Sequence, residues 1–166
     1  MSGFTLSTIG RTAKAATIGA IRGAGETAMT VVETTRDVLL TAVRGAGDVT
    51  GATTEAAAKV TRGAVSAAAD TGEDVFGTLK SAVRGTIRGS AELGGDLGKT
   101  AVAATQAGIE AAETIGADVG KAMTGAVTGA IEAADEVGTE AGLAVRKALV
   151  GSIKGAKDVI KEPFKD

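Results

Sequence analysis

The chain contains no cysteine, histidine, tryptophan or tyrosine, and it has one proline and three phenylalanines among 166 residues. Without cysteine there is neither a disulfide nor a thiolate nucleophile, and without histidine there is no imidazole base near neutral pH. Zinc sites that depend on either residue are excluded for the same reason. These absences indicate a protein that is not an enzyme and that uses no cofactor and no metal.

One segment resembles a nucleotide-binding motif but lacks an essential residue of it. Residues 94–100 end in Gly-Lys-Thr and resemble a phosphate-binding loop, but Leu93 stands where that motif needs its first glycine. No apolar strand precedes the segment either. We therefore expect no nucleotide to bind there.

Long apolar runs and a strong charge of one sign are also lacking. The uncharged runs 100–109 and 122–131 are only 10 residues long, about half of what spans a bilayer. Residues 1–10 carry no basic head of the kind that begins a signal peptide. A net charge of −2 with 2% aromatic residues disfavours nucleic-acid binding. We expect a cytoplasmic protein without a transmembrane span or a nucleic-acid partner, the alternative location being the periphery of a membrane or lipid body.

Residues eleven positions apart share their character along the whole chain. Positions divisible by eleven are polar or charged almost throughout, whereas the positions just before them are mostly apolar. Segments that begin at residues 19, 41, 63, 85, 107, 129 and 151 also resemble one another, so two 11-residue units form a 22-residue repeat. The predicted apolar face consists of Ile21, Val32, Val43, Val65, Phe76, Ile87, Ile109, Ile131 and Ile153.

This period favours an α-helix. Eleven residues in three turns is about 3.67 residues per turn, which keeps one apolar stripe on one face of a nearly straight helix. The stripe is wide, as in a helix that lies on a surface. We predict an all-α fold made of one very long amphipathic helix, or of a helix broken once or twice, packed on a surface or in a helical bundle. Residues 1–10 form an uncharged N-terminal segment, 11–160 a continuous repeat region with a break at 94–95, and 161–166 a C-terminal tail.

A column of small residues borders the apolar stripe and predicts close helix packing, because Gly-x-x-x-Gly pairs let another backbone approach. Flexibility is the alternative explanation for these glycines. Each interior glycine costs roughly 0.8 to 1 kcal/mol, so about 20 of them disfavour the isolated helix by about 15 to 20 kcal/mol. We expect a marginal monomer that becomes helical on a surface or in an assembly. The column contains Gly19, Gly23, Gly45, Gly85, Gly89, Gly129, Gly151 and Gly155.

The charges are segregated along the chain. Residues 104–142 carry a side-chain charge of −6 and residues 143–166 carry +3. Such a layout selects antiparallel or staggered neighbours when helices face each other. Pairs four residues apart, such as Arg88 and Glu92, are expected to interact along one helix.

Repeats of 11 and 22 residues that are rich in Gly, Ala, Thr and Val and carry charged spines resemble the amphipathic regions of perilipins, synucleins and exchangeable apolipoproteins. They are similar, more loosely, to the 11-residue repeats of late-embryogenesis-abundant proteins. The proline punctuation of apolipoproteins is missing, as is a lysine-rich flank. The resemblance implies a coat on lipid droplets or vesicles.

Three functions remain open at this stage. The first is a non-enzymatic helical coat on an apolar surface, with a lipid droplet, a membrane face or a storage granule as the partner. The second is self-assembly with copies of itself into a right-handed supercoiled bundle, coiled coil or filament, or a role as a long helical subunit of a larger complex. The third is stress protection or ice binding, because Thr and Ala that recur every eleven residues form a regular face.

Overall fold

The computed structural model describes residues 6–24, 28–46 and 49–161, and within these ranges the protein is all-α. The all-α prediction is confirmed, but the prediction of one very long helix, broken at most twice, is wrong. The ends of the predicted N-terminal segment (1–5) and tail (162–166) lie outside the described residues. The described helices are α1 (Leu6–Ala24), α2 (Ala28–Ala46), α3 (Val49–Thr71), α4 (Val75–Glu92), α5 (Leu97–Thr114), α6 (Val119–Val137), α7 (Thr139–Ser152) and α8 (Ala156–Lys161).

The helices form a stack of two layers. Helices α1, α3, α5 and α7 pack successively on one another in the first layer, and α2, α4, α6 and α8 do so in the second. Each helix also packs on its neighbours in the sequence, which lie in the opposite layer. Arg84 of α4 pairs with Glu132 of α6, and Arg88 pairs with Glu136, so helices two apart run parallel.

Three glycines end α3, α4 and α5 in the same way. Gly72, Gly94 and Gly116 lie 22 residues apart and have φ of 74°, 72° and 77°, in the left-handed region that favours glycine. The residue after each glycine donates its backbone N–H to a carbonyl five residues back, as Gly95 does to Ser90 at 2.8 Å. This is the Schellman arrangement, which satisfies the last carbonyls of a helix.

An aspartate follows each of these glycines by two positions and begins the next helix. Asp74, Asp96 and Asp118 are the N-cap residues of α4, α5 and α6, and each carboxylate accepts a backbone N–H of the first turn at 3.0 Å. Such caps stabilise a helix by about 1 kcal/mol each. Gly94 and Asp96 of the phosphate-loop-like segment are therefore parts of a helix-reversing turn.

The core is assembled from many small side chains. Most buried hydrophobic residues are alanine or valine, and the largest fully buried side chains include Leu39, Leu79, Ile87, Ile131 and Leu149. Because small side chains bury little area each, the stack depends on close approach of its backbones. The largest apolar cluster extends from α3 to α8, and a second cluster joins α1, α2 and α3.

Buried threonines mostly bond to their own helix. The Thr61 hydroxyl donates to the Ala57 carbonyl at 2.8 Å, and the Thr35 hydroxyl donates to the Val31 carbonyl at 2.9 Å. The hydroxyls of Thr17 and Thr105 are buried and have no hydrogen-bond partner within the described part of the chain. A buried hydroxyl without a partner destabilises the folded state by about 1 to 3 kcal/mol.

The substitution Thr105→Val is expected to raise the free energy of unfolding by about 1 kcal/mol, because valine has nearly the same shape and no hydroxyl to desolvate. Thr61→Val is the matched control, because the Thr61 hydroxyl has a hydrogen bond to the Ala57 carbonyl. The substitution removes both the hydroxyl and that hydrogen bond, so it is expected to change the free energy of unfolding by less than about 0.5 kcal/mol. Urea unfolding followed by circular dichroism measures both. Equal effects at the two sites would contradict this account of Thr105.

Candidate interaction surfaces

The predicted apolar column lies mainly inside the protein. Ile21, Val32, Val43, Val65, Ile87, Ile131 and Ile153 are buried, and Phe76 and Ile109 are partly buried against the larger core cluster. Burial removes these side chains from water by contacts within one chain. In this fold they are core residues, and they do not form a continuous apolar surface that is free to contact a partner.

The predicted small column divides into two groups. A Cβ added at Gly85 would collide with Thr35 and would lie 2.5 Å from the Val32 carbonyl oxygen on α2. A Cβ at Gly129 would lie 2.5 Å from the Lys80 carbonyl oxygen on α4, and one at Gly89 would lie 2.8 Å from Leu39 Cδ2. These three glycines permit close contact between helices two apart in the sequence.

Three of the other predicted glycines, Gly19, Gly23 and Gly151, have open space where a Cβ would be and do not contribute such contacts. Gly45 is exposed near the end of α2. Gly155 has φ of 90° and lies beside the Met123 side chain in the link between α7 and α8. Close packing therefore describes only part of the column.

Gly63 is a close-packing residue that the predicted column omits, although it lies in register with Gly19 and Gly85. A Cβ there would collide with the Gly10 carbonyl oxygen and would lie 2.9 Å from the Lys14 backbone nitrogen, both on α1. Gly63 lies 44 residues after Gly19 and 22 before Gly85, so the spacing already present in the sequence identifies it. The same position thus holds a packed glycine on α3 and an unpacked one on α1.

Glu132 and Glu136, in the acidic region 104–142, form ion pairs between α6 and α4, two helices of the same layer. Arg84 of α4 contacts Glu132 at 2.7 Å and Glu136 at 2.9 Å, and Arg88 contacts Glu136 at 2.9 Å. Lys80 contacts Glu132 at 3.3 Å. Arg88 therefore pairs with Glu136 of the neighbouring helix, whereas the sequence pattern predicted Glu92 of its own helix. The α4–α6 ionic cluster consists of Lys80, Arg84, Arg88, Glu132 and Glu136.

Within the α4–α6 ionic cluster, Glu136 is expected to make the stability of the protein depend on pH. A hydrogen bond from Arg88, with the nearby charge of Arg84, lowers the pKa of Glu136 below its ordinary value. The stabilisation from Glu136 is therefore complete above about pH 4.3 and is lost as the pH falls through its lower folded-state pKa. Unfolding measured between about pH 7 and 2 is expected to show a smaller acid loss for Glu136→Gln than for the exposed control Glu113→Gln. An unchanged acid loss in Glu136→Gln would contradict the assignment.

Large apolar side chains are exposed mainly in the last third of the described chain. Leu143 and Val150 on α7 are 62% and 46% exposed, and they lie seven residues apart on one face of the helix. Val137 at the end of α6 is 49% exposed. On α1 the exposed face consists of Thr12, Ala15, Gly19 and Gly23 together with two arginines. These are the outer faces of the first and last long helices of the odd-numbered layer.

Two adjoining clefts open beside the first turns of α6. One has a volume of about 720 Å³ and lies between α4 and α6, with Phe76 and Lys121 in its lining. The other has a volume of about 620 Å³ and lies between α5, α6 and the link after α7, with Ile109 and Ile153 in its lining. Gly120 and Met123 line both clefts.

Other kinds of site have no counterpart in the described ranges. Within residues 6–24, 28–46 and 49–161, no group of three or more acidic side chains is arranged to hold a metal ion. Among the described helices, none combines the length and apolar content that a bilayer crossing requires. Comparisons of the chain with protein-family models, with curated proteins and with solved structures find no match.

Proposed function

We propose that this is a non-enzymatic structural protein that self-assembles end to end, with α1 of one copy stacking on α7 of the next. The observation that supports the proposal is the interface between parallel helices two apart, which recurs at α1–α3, α2–α4 and α4–α6 around Gly63, Gly85 and Gly129. A second copy would extend this established interface beyond the last long helix of its layer.

The exposed face of α1 shares its small glycine position with the packed face of α3. Gly19 occupies the position of Gly63, 44 residues earlier, and a Cβ there would meet nothing within 4 Å. A helix can therefore approach α1 as closely as α1 itself approaches α3. The opposite end of the layer carries Leu143 and Val150 on the exposed face of α7, so association would bury both side chains.

A contact between two different faces does not close on itself. Each added copy presents a new α7 face, so the geometry extends into a filament or a longer stack. Residues 1–32 carry a side-chain charge of +2 and residues 143–166 carry +3. Because both ends are positive, association is expected to strengthen as salt screens their repulsion.

Sedimentation velocity of the lipid-free protein tests the proposal across a range of protein and salt concentrations. The wild-type chain is expected to form larger species as concentration rises. Leu143→Glu is expected to weaken association at least tenfold, whereas Ile115→Glu, at a 40% exposed site that ends α5, is the matched control. A wild-type monomer at every concentration and salt would reject the proposal.

Gly19→Ala gives a second test, because it is expected to stabilise the monomer and to weaken end-to-end association. Alanine favours the free helix by about 1 kcal/mol and is expected to stabilise the monomer. Its methyl group would also prevent the close approach that Gly63 permits, so end-to-end association is expected to weaken. A variant that lost association because it unfolded would instead show both a less stable monomer and weaker association.

Coating of an apolar surface is the second candidate function. The 11-residue phase continues through the turns at Gly72, Gly94 and Gly116 without an insertion. If a lipid surface opened the stack, the rejoined helices would place their apolar columns on one side. Flotation with lipid droplets tests this function. Because binding would require the helices to separate, an engineered disulfide that joins α4 to α6 is expected to abolish binding if coating is the function.

A further inference from the structure

The two clefts beside α6 share Gly120 and Met123 in their linings, and Leu143 and Val150 of the proposed end-to-end contact line neither of them. We propose that the two clefts together bind a single-chain amphiphile with an anionic headgroup, such as a long-chain fatty acid. The acyl chain would lie along Met123, from the α4–α6 cleft into the α5–α6 cleft, and the headgroup would lie at Lys121.

The lining supplies apolar contacts on both sides of Met123. Phe76 lines the first cleft, and Ile109 and Ile153 line the second. Met123 is partly buried between them, with its sulfur and methyl group beside Gly155. Because methionine has a flexible side chain, a small rotation can join the clefts. Each cleft already lies within the size range of about 300 to 1,000 Å³ that is common for ligand sites.

Charge complementarity favours an anionic headgroup. The Lys121 ammonium lies 5.9 Å from the centre of the Phe76 ring, and no ion pair of Lys121 occurs among the described side chains. The carboxylates in the linings are already engaged, since Asp118 accepts the Lys121 backbone N–H at 3.0 Å and Glu110 pairs with Arg62 at 2.7 Å. Lys80, which also lines the first cleft, pairs with Glu132 at 3.3 Å. Among the lysines that line the two clefts, Lys121 in the first and Lys154 in the second form no ion pair with a described side chain, so Lys121 is the available cation of the α4–α6 cleft.

Methyl-labelled methionine gives a direct readout. The chain has three methionines, of which Met123 lines both clefts, whereas Met29 on α2 is 50% exposed and lines neither. Oleate is added below its aggregation concentration while the ¹³C-methyl resonances are recorded. We expect the Met123 resonance to shift and saturate near one equivalent while the Met29 resonance stays in place. Equal shifts of both, or no saturable shift of Met123, would overturn the proposal.

Two variants locate the ligand within the site. Gly120→Leu fills both clefts and is expected to weaken oleate binding at least tenfold; a Cβ there meets only the Asp118 carboxylate, at 3.3 Å. Its thermal unfolding, expected to match or exceed that of the wild type, shows that the variant folds. Lys121→Gln is expected to weaken binding threefold or more, whereas Lys157→Gln, at an exposed lysine that lines neither cleft, is expected to have no effect.

Chain length and helicity separate this site from opening of the stack. A cleft that holds the acyl chain is expected to bind decanoate much more weakly than oleate, because each buried methylene adds up to about fourfold in affinity. Circular dichroism is expected to stay unchanged at saturation. If oleate instead changes every methionine resonance and the helical content together, the stack opens on lipid and the cleft proposal is wrong. Self-assembly of the lipid-free protein is tested separately, by sedimentation velocity, so this outcome would not reject it.

Discussion

Gly63→Ala is expected to lower the free energy of unfolding by about 2 kcal/mol, although alanine is the better helix former. The added methyl group would collide with the Gly10 carbonyl oxygen and would lie 3.0 Å from Ala13 Cβ. These are a backbone atom and a rigid methyl group, so α1 and α3 must separate. Overpacking of this kind costs about 1 to 3 kcal/mol and outweighs the gain of up to about 1 kcal/mol in helix propensity. Chemical denaturation followed by circular dichroism measures the effect.

Gly19→Ala is the control for Gly63→Ala, because the two glycines occupy the same position 44 residues apart. Nothing lies within 4 Å of a Cβ at Gly19, so the monomer is expected to gain about 1 kcal/mol. Gly129→Ala, against the Lys80 carbonyl, is expected to behave like Gly63→Ala. In one continuous helix all three substitutions would stabilise the protein, so a gain in all three would contradict the stack.

Leu79→Ala is expected to lower the free energy of unfolding by about 3 to 5 kcal/mol. Leu79 is fully buried in the larger core cluster, and its Cδ1 lies 2.5 Å from where a Gly108 Cβ would be. Removing a buried leucine loses its transfer free energy and leaves a cavity. Total stabilities of about 5 to 15 kcal/mol are usual, and a core made largely of alanine leaves little to absorb the loss.

The control for Leu79→Ala is Leu143→Ala, which removes the same atoms from a site that is 62% exposed. The monomer's stability is expected to change by less than about 0.5 kcal/mol. Thermal unfolding at a concentration below self-association compares the two variants. Similar losses of stability in Leu79→Ala and Leu143→Ala would contradict the burial of Leu79 and the exposure of Leu143.

Helical periodicity predicted the fold class but not the architecture. Spacings near 3.67 residues identify helix and identify which columns are apolar, and most of the predicted apolar column does lie in the core. The same spacing does not reveal where a helix ends. Helix α4 has 18 residues, and four more residues lead to α5, so one helix and one turn fill the 22-residue unit. A stack and a continuous helix therefore produce the same pattern.

The turns had a local signal of a different kind. Gly72, Gly94 and Gly116 are each followed two positions later by an aspartate, which is the order of a C-terminal glycine and an N-cap. Recognising this order at 22-residue spacing would have predicted the helix ends.

The interaction surfaces were less predictable, because they depend on which helices meet. The charge layout indicated pairing between helices, but it did not show that Arg84 would reach Glu132 in the same chain. The glycine pattern likewise did not separate packed Gly85 from open Gly19. Both distinctions follow from contacts between residues about 50 positions apart, which the local pattern does not encode.

The most direct test of the helical stack is small-angle X-ray scattering of the lipid-free protein at a concentration where it is monomeric. A compact chain of 166 residues is expected to have a radius of gyration of about 15 to 20 Å. A continuous helix of about 150 residues would be about 225 Å long, with a radius of gyration of about 65 Å. The stack predicts a value below about 20 Å, and a value near 65 Å would contradict it.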